Sequence, residues 1–417
     1  MNNQLKVYFK KYKKLRVIYR EFYHSWRKAS VLLFGFYLKK SNFKAITRND
    51  LSISSQKYNL QEFGSEELVS FGDFHTFKPI PDRIAARIYP MKEKIARPFV
   101  CEIERAEIIG NFPVAFDCEG NLILETTLPR FTSVEAHIAK NVSIKTIIAS
   151  QFGKKNRQPA IETACILTNP WSSNFWHWTV DTLTQLEGIE HYQQQTGIKP
   201  KLIVNSNLRS WQKDSLELLG YDETDLIFWQ DFRRTVNKLI VPSFRRSYED
   251  LHGEISVNAC QWLRQKILSN LTNIKCDRLF SPKVFISRRK ALGRRIINEN
   301  EVIEALKPLG FATYILEEMS YVEQVKLFAQ AKVIVAPHGA GLTNLIFADN
   351  PIILELFGAY VGREFANLAR GMGFKYGCLG CQPPRGEVRQ KDGDLVVNIT
   401  QLRDLLALMG SPMNNEQ

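Results

Sequence analysis

His177 and Asp181 stand four residues apart in the segment Asn174-Phe175-Trp176-His177-Trp178-Thr179-Val180-Asp181. On a helix that spacing puts imidazole and carboxylate on one face. A carboxylate beside an imidazole can orient it, raise its basicity, or take a proton itself. The neighbouring aromatics suit either a packed core or a shelf for a sugar ring. A purely structural His–Asp pair at a helix start is the plainer alternative.

A second group is cationic: Ser287-Arg288-Arg289-Lys290, followed by Arg294-Arg295. It comes directly after the apolar run Val284-Phe285-Ile286, which reads as a strand. Guanidinium groups bind diphosphate oxygens in bidentate fashion. At the carboxyl end of a strand they are placed to stabilise a leaving group that gains charge. The bland counterpart is a solvated basic loop.

The third group is Pro337-His338-Gly339-Ala340-Gly341-Leu342-Thr343-Asn344. Small residues let backbone N–H groups approach a ligand closely, and the helix expected after them presents its positive end. The segment lacks the third glycine of the dinucleotide fingerprint, which argues against an oxidoreductase. Glu355, at the end of the next apolar run, could accept hydrogen bonds from ribose hydroxyls or be an ordinary strand-end charge. Asp392-Gly393-Asp394 has metal-binding spacing but follows Arg389-Gln390-Lys391 instead of an apolar strand, and Asp-Gly reads as a turn. Cys378 and Cys381 have metal spacing without a second ligand pair, so no metal site is expected.

The elements that must carry these groups follow from periodicity. Val284–Ser287, Ala312–Leu316, Val333–Ala336 and Ile352–Leu354 read as strands. Between them, Asn298 with Glu301 and Ser320 with Glu323 form capping-box patterns that open helices. A helix is also expected over Leu342–Phe347. Strand and helix alternating at these lengths predict a parallel sheet with right-handed crossovers. Ligands of such sheets sit beyond the carboxyl ends of the strands. Earlier in the chain, Val100 to Ile148 is strand-like. Within it Phe112–Asp117 and Leu122–Leu124 read as a hairpin around Glu119-Gly120-Asn121. Short apolar runs at 164–167, 202–204 and 239–241 then alternate with helical spacing over Trp176–Ile189 and Trp211–Leu219.

Composition bounds the remaining possibilities. Of 417 residues, 44% are hydrophobic and 24% charged, a globular balance that calls for two or three domains. Seven scattered cysteines argue against a disulfide scaffold. The net charge of +13 is local: residues 1–44 hold twelve Lys or Arg against one acid, Glu21, leaving +2 for the rest. No basic stripe continues into the folded part, which argues against nucleic-acid binding. The arm's longest apolar run, Val31–Leu38, is too short to span a bilayer, which takes about 20 residues. Its basic residues and aromatics are read as an amphipathic helical segment lying on an anionic membrane surface. A disordered basic tail is the alternative.

Taken together, Asn174–Leu186, Val284–Leu306 and Met319–Leu356 resemble glycosyltransferase family 61. That family includes plant cell-wall xylosyl- and arabinosyltransferases, N-acetylglucosaminyltransferases and bacterial proteins of capsular polysaccharide biosynthesis. The resemblance implies an α/β fold of two Rossmann-like domains facing a cleft, the B-type glycosyltransferase architecture. It also implies an inverting, metal-independent transfer from a nucleotide-sugar, with no further cofactor, to a glycan acceptor. His177 and Asp181 fall on the family's His-x-x-x-Asp helix and are the expected catalytic pair. Arg288, Arg294 and Asn298 fall on its basic segment, which Arg289 extends. His338, Gly339, Ala340, Gly341 and Leu342 fall on its glycine loop, and Glu355 on its strand-end acid. These are the expected donor-binding residues. The expected organisation is a basic arm (1–45), an acceptor-side domain (46–270), a nucleotide-sugar domain (271–400) and a C-terminal helix and tail (401–417). A cytoplasmic, peripherally membrane-bound enzyme of polysaccharide biosynthesis is expected. The rival is a catalytically silent nucleotide-sugar-binding or scaffold protein.

Overall fold

The computed structural model describes residues 44–70, 75, 82–85, 88, 92–127, 159–230, 233–247, 254–271, 278–385 and 392–410, with 25, 26 and 29. The basic arm therefore lies almost wholly outside the described residues, as does the 128–148 part of the strand-like region. Among the described residues no helix is long and apolar enough to cross a membrane.

Two main sheets organise the chain. The larger contains β1 (Ala45–Ile46) and β2 (Gln61–Glu62). A separate ribbon pairs β3 (Glu67–Ser70) with β4 (Lys92–Ile95). The larger sheet continues with β5 (Phe99–Ile109), β6 (Val114–Phe116), β7 (Leu122–Ile123), β8 (Ile161–Ile166), β9 (Lys201–Asn205), β10 (Leu226–Trp229) and β11 (Arg233–Pro242). Its order is β1-β7-β6-β5-β11-β8-β9-β10, with β2 also on β5.

Only part of this sheet has the expected parallel pattern. Strands β11, β8, β9 and β10 run parallel, whereas β5 pairs antiparallel with both β6 and β11. The four-residue link between β5 and β6 is far too short for a parallel crossover, so it must make a hairpin. The second hairpin falls where its turn signal predicts. Asp117 Oδ1 accepts from the N–H of Glu119 and of Asn121, and Gly120 takes φ of 79°.

The smaller sheet is wholly parallel: β12 (Lys283–Ile286), β13 (Ala312–Tyr314), β14 (Val333–Pro337), β15 (Ile352–Phe357) and β16 (Lys375–Gly380). All five residues of β14 are buried, as a strand covered on both faces requires. The order β13-β12-β14-β15-β16 reverses direction between the first and third strands in sequence. In doubly wound sheets that switch point is where a ligand crevice opens. The loops after β12 and β14 carry Arg288 and Gly339 respectively.

The helices pack the sheets together. The helix over residues 175–196, α1, is followed by α2 (Ser210–Glu217), α3 (Val257–Leu271), α4 (Glu299–Leu306), α5 (Tyr321–Gln330), α6 (Glu364–Gly371) and α7 (Ile399–Leu408). The Ser320–Glu323 capping box forms as predicted, with Ser320 Oγ accepting from Glu323 N–H and Glu323 accepting from Ser320 N–H. The Asn298 box does not: α4 begins at the predicted place without a side-chain cap from Asn298. One apolar core runs from Leu167, Trp178 and Leu183 through Leu263 and Ile267 to Ile334, Ile346 and Phe347. It joins the larger sheet's helices to the smaller sheet. The start of α1 rests against the 3-10 segment Ala340–Phe347.

Candidate active site

The helix α1 is irregular where its chemistry lies. Asn174 caps it, its Oδ1 accepting from Trp176 N–H at 2.9 Å and His177 N–H at 3.4 Å. Residues Trp178–Thr182 then form one π-turn, a distortion found mostly at functional sites. His177 Nδ1 lies 2.6 Å from Asp181 Oδ2. The predicted pair is therefore formed, but its members differ in access. The Asp181 side chain is 0% exposed, and its other oxygen lies 2.8 Å from Arg246 Nη1. The His177 side chain keeps 13% exposure. A carboxylate held by a guanidinium accepts, so Nδ1 of His177 carries a proton, and in the neutral imidazole Nε2 is then the acceptor. Trp176 and Trp178 are core residues, with Trp178 Nε1 donating to Ser215 Oγ at 2.9 Å.

Across the core, the cationic loop splits into distinct roles. Arg289 folds back onto Glu299, and Lys290 pairs with Glu318. Arg295 forms a double hydrogen bond to Asp394 Oδ2, at 3.1 Å from Nε and 2.7 Å from Nη2. Arg288 differs. Among the described residues it makes no ion pair, and its Nη2 donates only to the Gly293 carbonyl, at 3.3 Å. Burial, and next the neighbouring Arg294 cation, hold its guanidinium down at about 10. A buried cation beside another cation is a place where an anion relieves strain. Its guanidinium lies on Gly339: a β-carbon there would stand 2.1 Å from Nη1. The first and third strands of the small sheet thus deliver a cation and a side-chain-free backbone to one point at the switch. Arg294, at φ of 58°, places its guanidinium 5.8 Å from the centre of the Tyr360 ring.

Asn298 stands apart from this centre. Its Nδ2 donates to the Val397 carbonyl at 2.9 Å, and its Oδ1 accepts from Val397 N–H at 3.0 Å. Its amide is spent on fastening residues 392–398 along the loop, so the donor-binding expectation for it is corrected. The Asp392-Gly393-Asp394 turn belongs to the same strap, in Asp394's bonds to Arg295 and the Asp392 carbonyl's bond to Arg294 N–H.

Glu355 is corrected as well. It is 0% exposed, with His338 Nδ1 at 2.5 Å on one oxygen and Tyr376 Oη donating at 2.6 Å to the other. It orients His338 and has no face to offer a ribose. His338 is itself enclosed by the rings of Phe357, Tyr360 and Phe365, at 5.4, 5.1 and 5.2 Å. Phe365 also meets Trp176 edge-on at 5.2 Å, so the glycine loop and α1 share one aromatic wall. Gly341 approaches Leu316, Leu342 is buried, and Ala340 begins the 3-10 segment. That segment replaces the helix expected from Leu342.

The stretch of chain that holds this geometry is similar in sequence to known proteins. The glycosyltransferase 61 family model matches residues 175–353. The resemblance read from the three motifs is borne out. The match contains His177, Asp181, Arg288, Arg294 and the whole glycine loop, and stops two residues before Glu355. The chain is also similar to the EGF domain-specific O-linked N-acetylglucosamine transferases of Gallus gallus (32% identical over 100 residues) and Canis lupus familiaris (31%). Each alignment covers 22% of this chain and 19% of the relative, so the chain spans only about a fifth of the relatives' length in the matched part.

The glycosyltransferase 61 motifs leave several contributors unnoticed. Buried Arg246 and Glu254 and partly exposed Arg363 lie around Asp181 and α6, and Tyr376 donates to Glu355. One signal for Arg246 was present: Ser243-Phe244-Arg245-Arg246 follows β11 much as Ser287-Arg288-Arg289 follows β12. Cys378 and Cys381 are buried, and among the described residues no cluster of acids, His or Cys has metal-binding geometry.

Proposed function

We propose that this protein is an inverting glycosyltransferase, moving a sugar from a nucleotide-activated donor to a hydroxyl of a glycan acceptor. The observation that carries this reading is the largely buried Arg288 guanidinium, without an ion pair among the described residues, lying on Gly339 at the switch point of a parallel sheet. The two sheets would serve as the two halves of a B-type architecture. The larger sheet (residues 46–270) takes the acceptor and the smaller (271–400) the donor.

In this reading the donor diphosphate sits between Arg288, Arg294 and the backbone of Gly339–Leu342. His177 Nε2 takes the proton of the acceptor hydroxyl, and Asp181 holds the imidazole as it gains charge. The acceptor oxygen bonds to the anomeric carbon as the bond to the diphosphate oxygen breaks from the opposite face, inverting that carbon. The bonding electrons leave on the diphosphate, whose new charge Arg288 and Arg294 stabilise. The proton on His177 then passes to solvent. The two guanidinium groups do here what a divalent ion does in metal-dependent transferases. The names of the relatives support N-acetylglucosamine donors as the first to try. A polysaccharide acceptor, a cytoplasmic site and membrane attachment through residues 1–44 complete the proposal.

A thermal-shift screen of nucleoside diphosphates and nucleotide-sugars tests it. A cognate donor at a hundredfold excess over its Kd stabilises by about 2.7 kcal/mol. Transfer with inversion then shows in the anomeric configuration of the product, and persistence in EDTA tests metal independence. Failure of every donor to stabilise the protein would sink the reading. Stabilisation without transfer to any acceptor would leave the silent binding protein.

A further inference from the structure

The His177–Asp181 pair is the first link of a longer buried chain of charge. Asp181 Oδ1 faces Arg246 Nη1 at 2.8 Å, with the two residues 1% and 4% exposed. Arg246 lies just beyond β11 and bridges antiparallel to Ile255, which sets it beside Glu254. Glu254 is 4% exposed, and its Oε1 lies 2.9 Å from Arg363 Nε. Arg363 also faces Glu93 at 3.5 Å, and Glu93 accepts from Ser247 Oγ and from Glu254 N–H. Arg363 is the residue immediately before α6, whose Phe365 touches both His338 and Trp176. The series of ionisable groups runs from the imidazole to the start of a helix that lines the glycine loop.

Such a chain costs several kcal/mol of desolvation per ion, so packing alone does not account for it. It does fix a state of the imidazole. With Arg246 on one oxygen, Asp181 stays ionised and accepts from His177 Nδ1, which keeps Nε2 available. Among the described residues, two further ionisable groups near the pair are neutral. Cys260 on α3 faces Asp181, with its thiol pushed up by burial and therefore neutral. Tyr321, beside Phe175, has its phenol pushed up by burial and is neutral too. Glu254 neighbours Arg246, the Arg245–Glu187 pair neighbours Cys260, and segment 340–347 contributes no ionisable residue.

We propose that Arg246 is the positioning residue of the His177–Asp181 pair, fixing the tautomer and charge of the base from the larger sheet while Glu254 and Arg363 fasten it to the donor-side helix. The catalytic part of this inference rests on the reading of His177 as base; the electrostatic part does not. The test therefore begins without turnover, following the His177 imidazole by NMR in the full-length protein labelled at histidine. Replacing Arg246 with Gln strips a positive charge from Asp181 and favours the imidazolium. His177 should then titrate about one pH unit higher than in the wild type. A folded Arg246→Gln protein in which His177 titrates as in the wild type would overturn the proposal.

Activity supplies the second readout. Arg246→Gln should lower kcat about 10- to 100-fold, the range for a partner that orients another group. Donor KM should stay within twofold, and the acid limb of the kcat profile should move up with the imidazole. Arg246→Lys keeps the buried charge, and with it the fold, but loses the planar fork. It should show kcat about tenfold down with donor KM unchanged, and wild-type kcat in this variant would equally overturn the proposal. If the wild type transfers no sugar from any donor, the glycosyltransferase reading fails, and the titration still decides whether Arg246 governs the pair.

Discussion

Arg288 lies so close to Gly339 that the glycine's missing side chain is part of the proposed anion site. A β-carbon there would meet Nη1 at 2.1 Å and Cζ at 2.9 Å. Gly339 has φ of 171°, ordinary extended backbone, so conformation does not demand glycine; the guanidinium does. The contact is with the far end of a flexible side chain. Gly339→Ala should therefore fold with nearly unchanged thermal stability while displacing Arg288. Donor binding, read by calorimetry, should weaken about 10- to 100-fold, comparable with losing one charge-assisted contact of about 1.5–3 kcal/mol. Unchanged donor affinity in this variant would remove Arg288 from the diphosphate site.

His177 and Asp181 should separate cleanly on mutation, because only one of them has a path to substrate. His177→Ala removes the base and should cost about 100- to 10,000-fold in kcat with donor binding intact. Asp181→Asn removes the orienting charge and also one charged partner of buried Arg246. Breaking a buried pair in that way costs about 3–5 kcal/mol. It should thus lose both activity and stability, measured by turnover and urea unfolding on the same sample. An Asp181→Asn protein as stable as the wild type would contradict the Asp181–Arg246 pairing.

Much of the smaller sheet was legible because each of its signals is local. The apolar run of β14 and the Ser320–Glu323 box, like the Gly120 turn of the larger sheet, each need only a few neighbouring residues to take effect. The His177–Asp181 pair was legible for the same reason, being spaced by one helical turn. What escaped depends on distant parts of the chain. Arg246 meets Asp181 across 65 positions, and Arg363 meets Glu93 across 270. Neither contact has a periodicity to betray it. Glu355 was misjudged because a strand-end acid looks alike whether it faces solvent or a buried His338 and Tyr376. The antiparallel β5 was missed where Rossmann-like alternation was expected, because strand direction is set by link length and partner choice, not by the strand's own residues.

Asn298 offers a test of structural against substrate roles within one motif. Its amide makes three bonds, two to Val397 and one to Glu301 Oε2 at 3.2 Å. Asn298→Ala should cost about 1–3 kcal/mol by leaving the Val397 groups without their partner. Donor Kd should stay within twofold, since the strap and not the ligand loses its contact. A stable Asn298→Ala protein with greatly weakened donor binding would return Asn298 to the donor site.

Glu254 predicts how the stability of the whole protein responds to pH. Burial first, opposed by Arg363 and Asn367, pushes its carboxyl up from 4.5 to about 7. Between those values the folded protein holds a proton that the unfolded chain has released. The stabilisation is complete below about pH 4.5 and disappears as pH rises through 7. At 1.36 kcal/mol per unit, the change from this one group reaches about 3 kcal/mol. Glu254→Gln cannot titrate, so its stability relative to the wild type should improve as pH rises from 5 to 8. Urea unfolding of both proteins across that range decides the matter. Two stability curves that run parallel would show that Glu254 is ionised throughout, and that Arg363 holds two full carboxylate charges at once.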